Sequence, residues 1–293
     1  MKKSVISFVI FIVILASAIS NSSDNSIFNG NEPIHAVTFD STSIEIPLSL
    51  REMPEQILVR QAYTTSYNSE TKCPNWVAWH LLRENCDGDF TRDGVPYYDD
   101  NNEVYGIGFV TTETSGGGYF VDLEVGEPRQ ELNDWKDKRI KNNSHGHICP
   151  AGDCKWSKIA MNQSFLLTNM CPQDKSLNSG DWKSLETRCR KWAKHYDDIY
   201  IVAGPVFYNG ISRTMGANKV GVPDAFFKVI LCLQEKPKAL GFIFPNNAIH
   251  HELADYMKSV DEIEEITGFD FFYNLPDDIE SEVERHSDLS QWK

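Results

Sequence analysis

The segment from Ser144 to Arg190 constrains the fold and the chemistry of this chain more than any other part of the sequence. It ends in a predicted helix that follows Asn178 and places its apolar residues on one stripe at helical spacing. The stripe consists of Trp182, Leu185, Cys189, Trp192, Ala193 and Tyr196. Glu186 and Arg190 lie four residues apart on another side. We therefore predict a helix that packs its stripe into the core and carries two charged side chains away from it.

Strands are predicted wherever short apolar or alternating runs are bounded by turn residues. The clearest runs are 105–112, 119–125, 199–203, 225–233 and 240–244. A second helix is predicted from Ser259, which forms a capping box with Glu262, to Gly268. Because the strands outnumber the helices and do not alternate strictly with them, we expect an α+β fold with a central, largely antiparallel sheet flanked by helices.

The N-terminus predicts a signal peptide over residues 1–20, because Lys2 and Lys3 precede an apolar run, Val5 to Ala18, that ends in small residues. A transmembrane helix needs about 20 apolar residues, so a retained anchor is the less favoured alternative. We expect an exported protein, periplasmic or extracellular, with no stable membrane insertion after processing. Residues 21–45 are polar and predict a flexible lead, and residues 46–293 show no linker or repeat, which predicts a single domain.

The seven cysteines of an exported chain predict disulfides or metal ligands, with one thiol left over. Two pairs are close enough in sequence to bridge, namely Cys73 with Cys86 and Cys149 with Cys154. Spacing does not decide the connectivity, so the pairing stays open.

Two alternative metal sites are weaker hypotheses. A short stretch offers two imidazoles and two thiols to zinc: His145, His147, Cys149 and Cys154. Pro150 and the short loop that follows it disfavour the fourth ligand. The loop 86–94 resembles a calcium loop, but Arg92 stands in the sixth position, where such a loop needs glycine. We interpret that loop as a polar surface loop.

Charge is unevenly distributed along the chain. The formal net charge is -14, or -16 without Lys2 and Lys3, which argues against binding nucleic acid by counterion release alone. Between Trp135 and Asp198, however, there are twelve Lys and Arg and seven Asp and Glu. We interpret this stretch as a basic face that can meet phosphates. Residues 251–293 hold thirteen acids and three bases, and they either keep the protein soluble or simply form a solvated acidic tail.

The polar residues of the opening segment suit the hydrolysis of a phosphodiester with one metal ion. That reaction needs a base for water, charge stabilisation at phosphorus and help for the departing alkoxide. Asn178 offers a neutral oxygen ligand for Mg²⁺, and Glu186 offers a carboxylate that orders metal-bound water. His147 offers an imidazole that can accept a proton. Each residue alone has an ordinary structural explanation, such as a helix cap for Asn178, so the hypothesis depends on their joint order.

The order and spacing of these motifs closely resemble the DNA/RNA non-specific endonucleases of the ββα-metal superfamily, which includes endonuclease G-like enzymes. That family has an Asp-Arg-Gly-His motif, then Pro-Ala, Lys-Trp-Ser, Thr-Asn-Met-x-Pro-Gln and Leu-Asn-x-Gly-x-Trp-x-x-Leu-Glu. The matching positions here are His147, Pro150–Ala151, Lys155–Ser157, Thr168–Gln173 and Leu177–Glu186. The resemblance extends over residues 60–284 and is weakest before Ser144.

The resemblance implies a ββα-metal finger at the active site and a role for each residue. His147 would be the general base, Asn178 the metal ligand and Glu186 the residue that orients metal-bound water. Arg190 would contact phosphate or pair with Glu186, and Asn169 would shape the metal site. The resemblance also implies Mg²⁺, with Mn²⁺ as a substitute, and cleavage of DNA and RNA through backbone contacts to give 5′-phosphorylated products. A homodimer is left open.

The chain departs from the family pattern at Ser144 and His145, which stand where the family has Asp and Arg. His145 is the substrate-binding candidate there, yet a histidine is fully charged only at mildly acidic pH. We therefore expect lower activity, or activity that rises as the pH falls toward the pKa of His145 until His147 is protonated. The alternative function is a catalytically weak or inactive protein that keeps the fold and binds nucleic acid or protein.

Overall fold

The computed structural model of the protein describes residues 42–92 and 118–293, and its largest feature is a seven-stranded sheet. The strands are β1 (Leu48–Ser49), β2 (Gln56–Val59), β3 (Thr64–Asn68), β4 (Cys73–Leu82), β5 (Asn143–His147), β6 (Met170–Asp174), β7 (Asp198–Val206), β8 (Thr214–Met215), β9 (Val220–Gly221), β10 (Ala225–Cys232), β11 (Lys238–Pro245), β12 (Met257–Lys258) and β13 (Phe269–Asp270). The α-helices are α1 (Lys158–Ser164), α2 (Lys175–Ser179), α3 (Asp181–Tyr196), α4 (Val260–Thr267) and α5 (Asp277–Glu284). The order in the sheet is β12-β11-β10-β7-β4-β3-β2, and each neighbouring pair is antiparallel.

The two faces of this sheet carry separate cores, because successive residues of a strand point to opposite faces. On β10, Phe226 and Ile230 pack in one core with the apolar stripe of α3. Phe227 and Val229 pack in the other core with Ile263 of α4 and with α5. We call these the α3 face and the α4–α5 face.

The predicted fold class is confirmed, since helices flank a central antiparallel sheet. The strands predicted at 199–203 and 240–244 lie within β7 and β11, and the run 225–233 corresponds to β10. All six stripe residues of α3 are buried. Helix α4 begins after Ser259 with the predicted capping box and ends at Gly268, which adopts a left-handed φ of 75°.

One predicted strand is wrong, because residues 119–125 form only a single bridge, between Phe120 and Leu166. The carboxylate of Asp122 turns the chain there: it accepts hydrogen bonds from Arg60 at 2.7 Å and from the backbone nitrogen of Glu124 at 3.1 Å. A local side-chain bond of this kind competes with strand pairing. The predicted strand 105–112 and the predicted signal peptide lie outside the described residues.

The seven cysteines are all buried free thiols. The thiols of Cys149 and Cys154 hydrogen-bond to each other, as their separation in the sequence allows. Cys73 makes the same contact with Cys171 rather than with Cys86. Cys86 instead donates to a backbone carbonyl at 3.4 Å. Contact between distant segments therefore selects a neighbour for Cys73 that sequence spacing did not suggest.

Candidate active site

A hairpin followed by a helix carries the predicted site residues. Strands β5 and β6 pair antiparallel, with His147 opposite Met170, and β6 runs directly into α2, which holds Asn178. Gly180 separates α2 from α3. A side chain at Gly180 would come within 2.5 Å of the backbone oxygen of Ser176, so the close turn between the helices requires glycine. This is the predicted ββα arrangement, and it continues into Glu186 and Arg190 on α3.

One cavity of about 540 Å³ brings four of the predicted residues together. They are His147, Asn178, Glu186 and Arg190. Three further basic side chains line the same cavity: Arg92, Lys155 and Lys183. Four cationic side chains and one carboxyl therefore surround the cavity, and such a lining attracts an anion.

His147 offers the cavity an uncharged imidazole with one unpaired nitrogen. The residue is 5 % exposed, and its ring meets that of Phe165 edge-on at 5.1 Å between centroids. The ring hydrogen-bonds to the backbone of His145, and Nε2 has no partner among the described residues. Burial, and after it the charge of Arg92, lowers the pKa of His147 to about 3. The ring is therefore neutral at neutral pH and can accept a proton.

Asn178 is held through its amide nitrogen. Nδ2 donates to Oγ of Ser144 at 3.0 Å and to the backbone oxygen of His145 at 3.4 Å. Oγ of Ser144 donates in turn to the backbone oxygen of Gln173 at 2.9 Å. These bonds orient the amide and leave Oδ1 available to a ligand in the cavity. Ser144, where the family has Asp, thus still positions Asn178.

Glu186 is a half-buried carboxyl whose pKa depends on its surroundings. Burial raises its pKa to about 7, while the charge of Lys228 opposes that rise. Lys228 is completely buried on β10, and its Nζ lies 4.2 Å from the ring centroid of Trp182 and 5.3 Å from that of Trp79. In the described part of the chain this ammonium has no hydrogen-bond partner. Lys228 therefore lies where a positive charge favours the ionised form of Glu186.

Arg190 forms its ion pair with Asp153 rather than with Glu186. Nη1 of Arg190 lies 2.7 Å from Oδ1 of Asp153, whose side chain is 2 % exposed. Oδ2 of Asp153 accepts a second hydrogen bond, from Nε1 of Trp79 at 3.1 Å. The guanidinium of Arg190 is 21 % exposed and lines the cavity. One side of the guanidinium is therefore anchored, and the remaining donors can reach an anion.

Asn169 is completely buried and does not line the cavity. Its Oδ1 accepts from the backbone nitrogen of Cys149 at 2.9 Å, and its Nδ2 donates to the backbone oxygens of Cys149 and Ser164 at 2.9 and 2.8 Å. The backbone oxygen of Asn169 accepts from Ile148 at 3.0 Å. These bonds hold the chain directly after His147, so Asn169 positions that residue.

His145 lies outside the lining of the cavity. Its ring is stacked between Tyr119 and Trp135, with both centroid distances 3.8 Å and interplanar angles of 11° and 17°. Burial lowers the pKa of His145 to about 4, so the range in which we expected this ring to gain charge was too high. The structure does not bring this substrate-binding candidate to the cavity. The alternative zinc set does not converge either, because no three of its ligand atoms lie within 4.8 Å of one another.

Five charged residues in or beside the cavity were not predicted as site residues: besides Lys155 and Lys183, they are Arg92, Asp153 and Lys228. Arg92 comes from the loop that we interpreted as polar surface, and its guanidinium lies 5.7 Å from the ring centroid of Phe165. Asp153 belongs to a short 3₁₀ helix, Ala151–Asp153. Lys228 carried the one available signal, since it is a charged residue inside an otherwise apolar strand.

Comparisons with known proteins agree with this architecture. The sequence profile of a family described as DNA/RNA non-specific endonuclease matches residues 46–278. A chain of the solved EndoG/EndoGI complex superimposes with a TM-score of 0.59 at 22 % identity, covering 76 % of this chain and 87 % of that one. At this identity the structural match shows the fold.

Named relatives are found in several kingdoms. Nuclease C1 of Cunninghamella echinulata var. echinulata is 30 % identical over 235 residues, which cover 74 % of this chain and 83 % of that protein. A nuclease of Nostoc sp. (strain PCC 7120) is 28 % identical over 79 % of this chain and 78 % of that protein. The mitochondrial nuclease EXOG of Xenopus laevis is 29 % identical over 74 % of this chain. That match covers 58 % of the frog protein, so this chain spans little more than half of its length.

Proposed function

Because this chain belongs to the family of DNA/RNA non-specific endonucleases, we propose that it hydrolyses internal phosphodiester bonds of DNA and RNA with the help of one divalent metal ion. The observation that carries the proposal is the convergence of a neutral histidine, an asparagine amide, a carboxyl and an arginine on one cavity. These are the groups that one-metal phosphodiester hydrolysis needs.

His147 would accept the proton of the attacking water at Nε2. In the ligand-free protein the pKa of about 3 makes this ring a weak base, although it stays unprotonated over the whole neutral range. A phosphate anion beside the ring would raise that pKa, because a nearby negative charge favours the imidazolium. The base would therefore strengthen when the substrate is bound.

Asn178 and Glu186 fit a small divalent cation that prefers oxygen ligands. The amide of Asn178 is held through its nitrogen, so its oxygen is left for a ligand, and Glu186 faces the same cavity. We propose Mg²⁺, with Mn²⁺ as a substitute. When bound, the ion would neutralise charge on the phosphoryl oxygens and ease the departure of the alkoxide. Glu186 would accept hydrogen bonds from water and keep it oriented.

The four cationic side chains of the lining would hold the substrate by its phosphates. They are Arg92, Lys155, Lys183 and Arg190. Contacts of this kind carry no information about the base, so cleavage would show little preference for sequence or for the type of sugar. Displacement of the 3′ oxygen would leave 5′-phosphorylated fragments.

Incubation of the purified protein with circular plasmid and with RNA, in Mg²⁺ or in EDTA, tests the proposal. We expect metal-dependent cleavage of both substrates and a loss of about 100- to 10,000-fold in His147→Ala, since a general base contributes about that much. His195→Ala, at an exposed histidine of α3, is the matched control and should cleave like the parent. Cleavage in EDTA, or undiminished cleavage by His147→Ala, would contradict the assignment.

A binding protein of the same fold that does not cleave is the second candidate. It is favoured by the position of His145, which stands where the family has arginine but is stacked on Tyr119 and does not line the cavity. In the experiment above, retardation of DNA without any product in Mg²⁺ or Mn²⁺ would favour this candidate.

We also propose that the protein is exported, with residues 1–20 as a signal peptide, on the basis of Lys2, Lys3 and the apolar run after them. Several of the relatives are named as mitochondrial, among them EXOG of Xenopus laevis and endonuclease G of Bos taurus. In the part of the chain that the structure describes, no helix is long and apolar enough to cross a membrane. N-terminal sequencing of protein recovered from the medium or periplasm should begin near Asn21, and an intact Met1 would overturn the proposal.

A further inference from the structure

Three carboxyl groups from two helices meet on the α4–α5 face of the sheet. Asp261 and Glu264 lie one turn apart on α4, and Glu284 is the last residue of α5. One ligand atom of each lies within 4.8 Å of the other two. Carboxylates this close repel one another unless a proton or a cation lies between them.

Glu284 distinguishes this cluster from an ordinary acidic surface patch. The residue is only 6 % exposed, and its Oε1 has no hydrogen-bond partner among the described residues. Helix α5 ends at this residue, and the C-terminal end of a helix disfavours a negative charge. An ionised carboxylate that is buried without a partner is costly. The unpartnered oxygen therefore points to a ligand that is drawn to negative charge.

The neighbours of Glu284 add negative charge and do not compensate for it. After burial, the largest influences on its carboxyl are Glu264, Glu280, Asp261 and Asp270, and together they raise its pKa to about 9. Burial also raises the pKa of Glu264 to about 7. Lys258, which precedes α4, pairs instead with Glu262 at 3.1 Å. The charged groups that act most strongly on Glu284 are thus acids, and Lys258 pairs with an acid outside the cluster.

We infer that Asp261, Glu264 and Glu284 bind a calcium ion at a site separate from the catalytic cavity. Calcium takes about six to eight oxygen ligands in a flexible geometry, which suits carboxylates on side chains of different length. Magnesium demands a nearly ideal octahedron and keeps most of its water, so it fits a cluster of protein carboxylates less well. Asp270 and Glu280 hydrogen-bond to each other. They would provide further oxygen ligands or would accept hydrogen bonds from metal-bound water.

The ion would join α4 to α5. Ile263 and Val283, next to the cluster on these helices, both lie in the core of the α4–α5 face. Calcium would therefore hold α5 against the sheet. It would increase the stability of the fold rather than the rate of the chemical step. Its effect must then be visible in a protein whose catalytic site no longer holds metal.

Thermal unfolding and calorimetric titration of Asn178→Ala test the inference, because this variant lacks the proposed catalytic metal ligand. The protein is first freed of metal with EGTA and then titrated with Ca²⁺ alone. We expect one calcium per chain and a rise in Tm of about 5 °C at a hundredfold excess of Ca²⁺ over the Kd. Adding Glu284→Gln should weaken the binding at least tenfold and abolish the rise. Adding Glu282→Gln, at an exposed acid of the same helix, should leave both unchanged.

Three results would overturn the inference. The first is the absence of a calcium-dependent rise in Tm in Asn178→Ala, which would mean that the cluster is held together by shared protons. The second is an equal rise in the variant that also carries Glu284→Gln. The third is an equal response to Mg²⁺, which would contradict the assignment to calcium. If Glu284→Gln unfolds, Asp261→Asn combined with Glu264→Gln replaces it, with the same expected loss. None of these results depends on nuclease activity.

Discussion

The two faces of the central sheet bury acidic side chains in opposite ways. On the α3 face, Asp153 lies 2.7 Å from Arg190, and Glu186 lies in the field of Lys228. On the α4–α5 face, the charged groups that act most strongly on Glu284 are all acids. The first face therefore carries its own countercharges and is complete as a folded protein. The second face must take a proton or a cation from solution.

The largest loss of unfolding free energy is expected when the α3 face loses the positive charge that pairs with Asp153. Arg190→Ala leaves Asp153 buried and unpaired, and the removal of one partner from a buried pair costs about 3 kcal/mol of unfolding free energy. Urea unfolding at neutral pH measures this loss. Arg188→Ala, at an exposed arginine of the same helix, should change the unfolding free energy by less than about 0.5 kcal/mol. Equal losses in the two variants would refute the proposed role of the Arg190–Asp153 pair.

On the α4–α5 face, removal of a charged side chain is expected to increase the unfolding free energy when calcium is absent. The pKa of Glu284 is about 9 in the folded protein, above its ordinary value of 4.5, so folding favours its protonated form. The contribution of Glu284 to the stability of the parent should therefore be greatest below about pH 4.5 and should be lost as the pH rises toward 9. Glu284→Gln should lack this loss and exceed the parent by about 2 kcal/mol at pH 8.

Urea unfolding of the parent and of Glu284→Gln in EGTA, at pH 5 and pH 8, checks this difference. The matched variant Glu282→Gln should follow the parent at both pH values. If the advantage of Glu284→Gln did not grow between pH 5 and pH 8, Glu284 would not be the group that titrates.

A smaller effect, on the pKa of Glu186, is expected when a positive charge is removed from the α3 face. Lys228→Met removes the charge that opposes the effect of burial on Glu186. The pKa of Glu186 should then rise above its value of about 7 by about one unit, which is about 1.4 kcal/mol. The carboxyl ¹³C shift of Glu186 in metal-free protein reports this pKa. Lys238→Met, at a cation that lies 4.1 Å from the ring centroid of Tyr196, is the control and should leave the titration unchanged.

The smallest loss of unfolding free energy is expected when the Arg190–Asp153 pair on the α3 face is slightly displaced. A methyl group on Gly152 would come within 2.7 Å of Nη1 of Arg190, so Gly152→Ala should push the flexible guanidinium away from Asp153. We expect a loss of about 0.5 kcal/mol, because the long side chain can adjust. Gly126→Ala has nothing within 4 Å of the new methyl group and serves as the control. A loss as large as that of Arg190→Ala would mean that the guanidinium cannot move.

The elements that the sequence predicted are those whose pattern is local. Helix α3 has an apolar stripe at helical spacing, α4 has a capping box, and β10 and β11 are largely apolar runs with one lysine each. Such patterns depend on neighbours within a few residues, so they can be recognised without knowledge of the fold. The order of His147, Asn178 and Glu186 was recognised through the resemblance of one continuous segment to a family, since that segment holds all three.

The features that the sequence did not predict depend on contacts between distant segments. Arg92 reaches the cavity from a loop far earlier in the chain, and the pairing of Arg190 with Asp153 rather than Glu186 is set by tertiary packing. The segment 119–125 has the composition of a strand but is turned by the hydrogen bonds of Asp122. Strand β4, in the middle of the sheet, was missed because Pro74 near its start and buried residues on both faces hide the alternation of a strand.

Residues 143–190 form one continuous segment, and this continuity has a consequence for the evolution of such proteins. Residues 143–190 contain His147, Asn178, Glu186 and Arg190, whereas the acidic cluster is contained in residues 261–284. A single insertion, deletion or recombination event can therefore alter one of the two sites while the coding region of the other is inherited intact. We expect lineages of this fold in which either site has been lost separately, and the sheet between them is the part that both must keep.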